Sequence, residues 1–152
     1  MTSVRSSDVL EALEGQAACY RELAELADAQ HRHVRTEGAE GERALLEVLG
    51  QRQTVMDRVA SFEPVLAEVR RDWPSFADTL STDDRTRAEA LHAEVRELLT
   101  RITDGDRDDT LMLQQRKLTA GDALRATKVK TTAGRHYAGA AYAKQRSVDF
   151  KG

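Results

Sequence analysis

From Leu45 to Trp73 the chain repeats at alternating intervals of three and four. Val48, Arg52, Val55, Val59, Phe62, Leu66, Val69 and Trp73 form one row, with Arg52 the charged member. That period belongs to a helix packed along its length against other helices. Leu45, Leu49 and Met56 lie beside the row and widen the apolar band, so at least two partner elements are needed to cover it. Leu45, Leu49, Val55, Val59, Phe62 and Leu66 are the expected core of this helix. Pro64 falls inside it and predicts a kink, because the apolar phase continues from Phe62 to Leu66 across the missing backbone bond. The helix is expected from about Glu42 to Asp72, and the whole chain is expected to be arranged around it.

A preceding helix follows from Leu10, Leu13, Ala17, Tyr20, Ala24, Ala27, His31 and Val34, again at three-four spacing. Ser6 or Ser7 is the expected N-cap, with Asp8 and Glu11 in the first turn where the helix dipole favours negative charge. Glycines in TEGAEGE (36–42) predict the first loop, short enough to make the two helices antiparallel neighbours. After Trp73-Pro74, WPSFADTLSTDD reads as a connection anchored by Trp73, Phe76 and Leu80. Ser81 or Thr82 then caps a third helix whose seam is Leu91, Val95, Leu98 and Ile102. The acidic stretch TDGDRDDT (103–110) permits either one long helix with a polar waist or two helices. Beyond it, Leu111, Leu118 and Val129 fall on one side, and Leu113, Ala120 and Leu124 on the opposite side. One row can face the bundle, and the other requires a second partner.

The expected fold is therefore all-α, an antiparallel bundle of three long helices with coiled-coil-like packing over residues 1–132. A flexible basic tail is expected over 133–152, where periodicity ceases and glycine and alanine dominate. Composition agrees: 32 % of the 152 residues are charged and 5 % aromatic. No apolar run approaches the roughly 20 residues of a membrane span, and MTSVRSSD lacks the apolar core of a signal peptide, so the expected location is cytoplasmic. Cys19 is the single cysteine, which excludes an internal disulfide and reads as a small residue at the edge of the core.

The net charge of −3 conceals a division. Residues 1–110 carry 14 Arg against 24 acidic residues, a balance of −10, whereas residues 111–152 carry 9 Lys and Arg against Asp122 and Asp149, a balance of +7. A basic end of this kind can bind nucleic acid, fold back on an acidic bundle, or meet an acidic partner. Tyr137 and Tyr142 lie in no recognisable nucleic-acid motif, so no nucleic-acid partner is expected. Arg52 within the apolar band reads as a snorkelling side chain paired with an acidic residue of a neighbouring helix. On that reading its replacement by methionine leaves stability similar or slightly greater.

Sites for chemistry are few. Asp28-x-x-His31 and Glu89-x-x-His92 have the acid-x-x-His spacing of di-metal bundles, but such a site needs two further inward carboxylates, and Arg52 places positive charge in the core. Neither His33 nor His92 stands in a phosphotransfer context, and there is no glycine-rich phosphate loop. No catalytic residue, metal or cofactor is expected.

LLEVLGQRQTVMDRV, with its leucines, central arginine and aliphatic pair, resembles the second helix of flagellar secretion chaperones of the FlgN type. DRDDTLMLQQRKLTAGDAL is similar to their third helix, and Tyr137-Ala138-Gly139 to their C-terminal ending. The layout matches over about residues 5–140, although Asp106, Asp108 and Asp109 stand where the family usually has asparagine. The resemblance implies a non-catalytic cytoplasmic chaperone. It would bind the C-terminal helical regions of flagellar hook-associated proteins, prevent their premature polymerisation and deliver them to the export apparatus. The expected client surface is Leu111, Leu118, Arg125, Val129 and Tyr137, with Lys117, Arg125 and Lys128 steering an acidic helix. The alternative is a coiled-coil adaptor or dimerising scaffold, and a homodimer is compatible with either.

Overall fold

The computed structural model describes residues 4–126, with side chains through Lys117. These residues are all-α: α1 (Ser6–Val34), α2 (Ala39–Arg70), the short α3 (Trp73–Asp78) and α4 (Thr82–Ala126). The chain divides into two units after Asp106. The first holds α1 to α3 and α4 through Asp106; the second begins at Arg107 within α4. The expected tail, 133–152, lies outside the described residues.

Several ends differ from expectation. Arg5 occupies the N-cap of α1 with no side-chain bond, and Ser6 is already helical, so neither serine acts as the cap. α2 starts at Ala39 instead of about Glu42, because the glycines of the first loop serve the helix start. Gly38 holds a positive φ of 98°, and Gly41 lies where a Cβ would come within 2.2 Å of the Thr36 carbonyl oxygen. A glycine in the first turn is tolerated there, and the close approach requires it. Pro64 sits within a helix that continues to Arg70.

The expected connection after Trp73 contains α3. Asp72 caps it by accepting from the Ser75 N–H at 3.4 Å, and Pro74 stands in its first turn, where a missing N–H costs little. Ser81 caps α4, its Oγ accepting from the Asp84 N–H at 3.1 Å. Through TDGDRDDT the helix is continuous. A single mid-helix glycine, Gly105, costs only about 1 kcal/mol and is outweighed by the turns on either side.

Side-chain pairs set the directions of the helices. Arg58 donates to Glu22 at 2.7 Å, and Phe62 lies over Gly15, so α1 and α2 run antiparallel. Between α1 and the first part of α4, Glu14 meets Arg87 at 2.8 Å, Arg21 meets Glu94 at 2.5 Å, and Asp28 meets Arg101. The numbers advance together by seven, so these two helices run parallel. Arg21 and Glu94 meet as charges, without an aligned hydrogen bond to Glu94 Oε1.

The core lies mainly along α1, not α2. α1 buries Val9, Ala12, Cys19, Leu23 and Gln30 besides Leu13, Ala17, Ala24, Ala27 and Val34. Two adjacent rows are covered because α1 has α2 on one flank and α4 on the other. One cluster joins Val9, Leu13 and Ala17 to Leu66, Val69, Leu91 and Val95, with Trp73, Phe76 and Leu80 packed on it as the sequence predicts. A second joins Leu23, Ala24 and Ala27 to Val55 and Ile102, with Val59, Phe62 and Leu98 alongside.

Of the expected α2 core, Val55 and Leu66 are buried, while Leu45, Val59 and Phe62 are half-buried. Leu49 is not core: it is 44 % exposed, as is Met56, and Leu46 is 69 % exposed. Their side of α2 is turned away from α1, and nothing among the described residues covers it.

Candidate functional site

Two features of the first unit stand apart from ordinary packing. The first is a polar layer at the end of the second cluster. Arg52 of α2 grips Asp106 of α4 as a fork, Nη1 donating at 2.7 Å and Nη2 at 2.8 Å. Arg52 Nη1 also donates to Gln30 Oε1 of α1, and Gln30 Nε2 donates to Asp106 Oδ1 at 3.1 Å. Three helices therefore share one closed network, with the Gln30 residue only 7 % exposed. Arg52 is thus paired with an acid on a neighbouring helix, as its place in the apolar band predicts. Gln30 was hidden from sequence reasoning because it falls on the second α1 row, beside alanines that read as spacers.

The second feature is a half-enclosed cavity of about 150 Å3 in which α1, α2, α3 and α4 meet. Leu13, Leu66, Val69 and Trp73 form its apolar walls, while Gln16, Arg70 and His92 bring polar groups to it. His92 packs edge-on against Trp73, with ring centroids 4.6 Å apart. Burial lowers the pKa of His92, and the charges of Arg96 and Arg70 lower it further. Arg70 is held by Glu63 through contacts of 2.8 and 3.3 Å, and that hydrogen bonding lowers the Glu63 pKa and raises that of Arg70. Tyr20 lies within the field of the same pair, its pKa raised by burial first and by the Glu63 charge second.

Along the same α2–α4 seam lies the exposed apolar surface. Met56 follows Val55, and Leu99 follows Leu98, each one residue beyond a member of the second cluster. A turn of 100° per residue on two antiparallel helices brings both to the side of the seam facing away from α1. Leu99 is 40 % exposed there.

In the second unit, Leu111 is 58 % exposed, whereas Met112 and Leu113 are half-buried and Asp109 is buried. The backbone of Leu118 and Arg125 belongs to α4, but their side chains lie outside the described residues, as do Val129 and Tyr137 entirely. The expected client surface is therefore represented by Leu111 alone. Among the described residues no group of three or more His, Cys, Asp or Glu is placed to hold a metal ion, and His31 and His92 stand on separate helices, α1 and α4. No helix among them is long and apolar enough to cross a membrane. No family model, curated protein or solved structure matches the chain.

Proposed function

We propose that this protein is a non-catalytic cytoplasmic chaperone of the flagellar export system. Its clients are the C-terminal helical regions of hook-associated proteins, which it shields from premature polymerisation and passes to the export apparatus. The fold in this reading is an antiparallel three-helix bundle with coiled-coil-like packing, and the seven-residue interval of the α1–α4 ion pairs supports that description. The observation that carries the function is Leu111, a large aliphatic residue 58 % exposed on α4 while Leu113 is half-buried. An exposed aliphatic row favours association, and an amphipathic client helix covers such a row through its i, i+3, i+4 and i+7 positions. The resemblance of the α2 and α4 segments to export chaperones points to the same kind of client.

The test is calorimetry with purified C-terminal segments of hook-associated proteins. Replacing Leu111 and Leu118 by aspartate abolishes binding and leaves helix content and melting temperature nearly unchanged. Unfolding of that variant would assign the row to the core, and the absence of binding by every such segment would end the chaperone reading.

A second reading, a dimerising adaptor, is favoured by the exposed Leu46, Leu49 and Met56 on α2. Light scattering together with the client titration separates the two: an adaptor is a dimer that binds no client segment and whose mass falls when Leu49 and Met56 are replaced by glutamate.

A further inference from the structure

We propose that the outer side of α2 is where a second copy of this chain docks, the two α2 helices lying antiparallel about a two-fold axis beside Gly50. The inference rests on the dimerising reading and deepens it, naming the partner as another copy and fixing the direction and register of the pairing.

The first argument is a second helical row. Leu46, Leu49, Gln53, Met56 and Ala60 recur at intervals of three and four, and all are exposed. At 100° per residue they stand on the side of α2 away from buried Val55. This spacing is that of the seam between two paired helices, and a lone polar residue within such a seam, here Gln53, specifies register.

The second argument is charge. Exposed Arg43 and Asp57 lie on one flank of the row, seven residues to either side of Gly50. Gln53 donates to Asp57 Oδ1 at 3.0 Å and holds that carboxylate on the flank. A two-fold axis beside Gly50 brings Arg43 against the partner's Asp57, and Asp57 against the partner's Arg43. The same operation sets Leu46 beside the partner's Met56, so apolar layers and ion pairs agree on one register. A patch that is its own complement in this way fits an isologous interface. A parallel pair would instead set Arg43 level with the partner's Arg43, and Asp57 level with the partner's Asp57. On the opposite flank Arg52 approaches the partner's Arg52, but its charge is already matched by Asp106 at 2.7 Å.

The third argument is Gly50 itself. Glycine in the middle of a helix weakens it relative to alanine. A Cβ at this position would meet nothing within 4 Å, so packing among the described residues does not require glycine there. At the axis a reason appears: Gly50 faces the partner's Gly50, and the two backbones can approach closely.

The experiment is light scattering of the full chain over a concentration series, with circular dichroism as the check on folding. A mass that rises to that of two chains is expected. Arg43→Asp and Asp57→Arg each convert both ion pairs into repulsions and weaken the dimer by about tenfold or more. Mixing these two variants restores a dimer, and the double variant Arg43→Asp, Asp57→Arg regains the wild-type dissociation constant. Gly50→Gln provides an independent readout: it raises the melting temperature of the dilute monomer and weakens the dimer.

The mass of one chain at every concentration overturns the proposal, and the adaptor reading with it. A dimer that Leu49→Glu, Met56→Glu dissolves but the charge reversals leave intact keeps the adaptor's surface and overturns this pairing. So does a double variant that stays as weak as the single ones. A dimer restored in both the mixture and the double variant, and able to bind a client segment, supports this pairing and ends the adaptor reading.

Discussion

Replacing Arg52 by methionine tests the polar layer at its centre. The change keeps most of the aliphatic stem and removes the guanidinium that Asp106 and Gln30 share. Asp106 then loses two charge-assisted bonds, and Gln30, 7 % exposed, loses the donor to its oxygen. Breaking a fully buried pair costs about 3–5 kcal/mol. Here the Asp106 side chain is 36 % exposed and the Arg52 side chain 19 %, so water recovers part of the loss at the carboxylate. A destabilisation of about 1.5–3 kcal/mol follows, since each hydrogen bond to a charged group is worth roughly 1.5–3 kcal/mol before that recovery. The simple snorkelling account, in which methionine is tolerated, omits Gln30 and so underestimates the cost. Urea unfolding followed by far-UV circular dichroism measures the effect. The triple variant Gln30→Leu, Arg52→Met, Asp106→Leu removes all three members of the network together and returns to wild-type stability or exceeds it by about 1–4 kcal/mol. An unchanged midpoint for Arg52→Met, or a triple variant as unstable as the single one, refutes the reasoning.

Gly15→Ala gains about 1 kcal/mol of helix propensity but places a Cβ 2.4 Å from the Phe62 ring, and overpacking of that kind costs about 1–3 kcal/mol. The net loss should disappear in a Phe62→Leu background, as a thermal-melt cycle will show. Ser81→Ala removes the cap on the Asp84 N–H and lowers stability by about 0.5–2 kcal/mol, whereas Ser81→Asp retains it in the same denaturation assay. His92 has a folded pKa below its unfolded value of about 6.5. The unfolded chain therefore binds the extra proton first, and stability falls as pH drops from about 6.5 through the folded pKa, with no contribution above that window. The groups against His92 are Trp73, Arg70 and Arg96; His92→Phe should flatten this part of the stability–pH curve, and an unaltered slope would assign it to other groups.

Helix existence was legible because α1, α2 and α4 carry long three-four rows, and the Ser81 cap and the Trp73, Phe76 and Leu80 anchors were legible for local reasons. What periodicity does not reveal is which neighbour is present. Leu49 and Met56 have the same local pattern as Val55, yet they face the side of α2 that nothing among the described residues covers. On α1 the reverse occurs: Val9, Leu23 and Gln30 sit beside an alanine-rich row that looked sufficient by itself, and they are buried because a second helix flanks it. The start of α2 was misplaced because glycine marks both a loop and a close backbone approach, and only the Thr36 carbonyl distinguishes them at Gly41. The cavity draws on residues from 13 to 92 in sequence, and no spacing rule joins Gln16 to His92.

The three ion pairs between α1 and α4 alternate in sign: acid to base at Glu14–Arg87, base to acid at Arg21–Glu94, acid to base again at Asp28–Arg101. A seven-residue slip of α4 along α1 would keep the heptad geometry of the seam, but not its charges. Slipped one way, Glu14 faces Glu94 and Arg21 faces Arg101; slipped the other way, Arg21 faces Arg87 and Asp28 faces Glu94. Each native pair, being exposed, contributes at most about 1 kcal/mol. Their alternation nevertheless means that a slip loses all three attractions and gains two repulsions, so their main effect is to destabilise the competitor registers. In a seam rich in alanine, where small side chains interlock weakly, this charge sequence joins the Gln30–Asp106 bond in telling α4 where along α1 to stop.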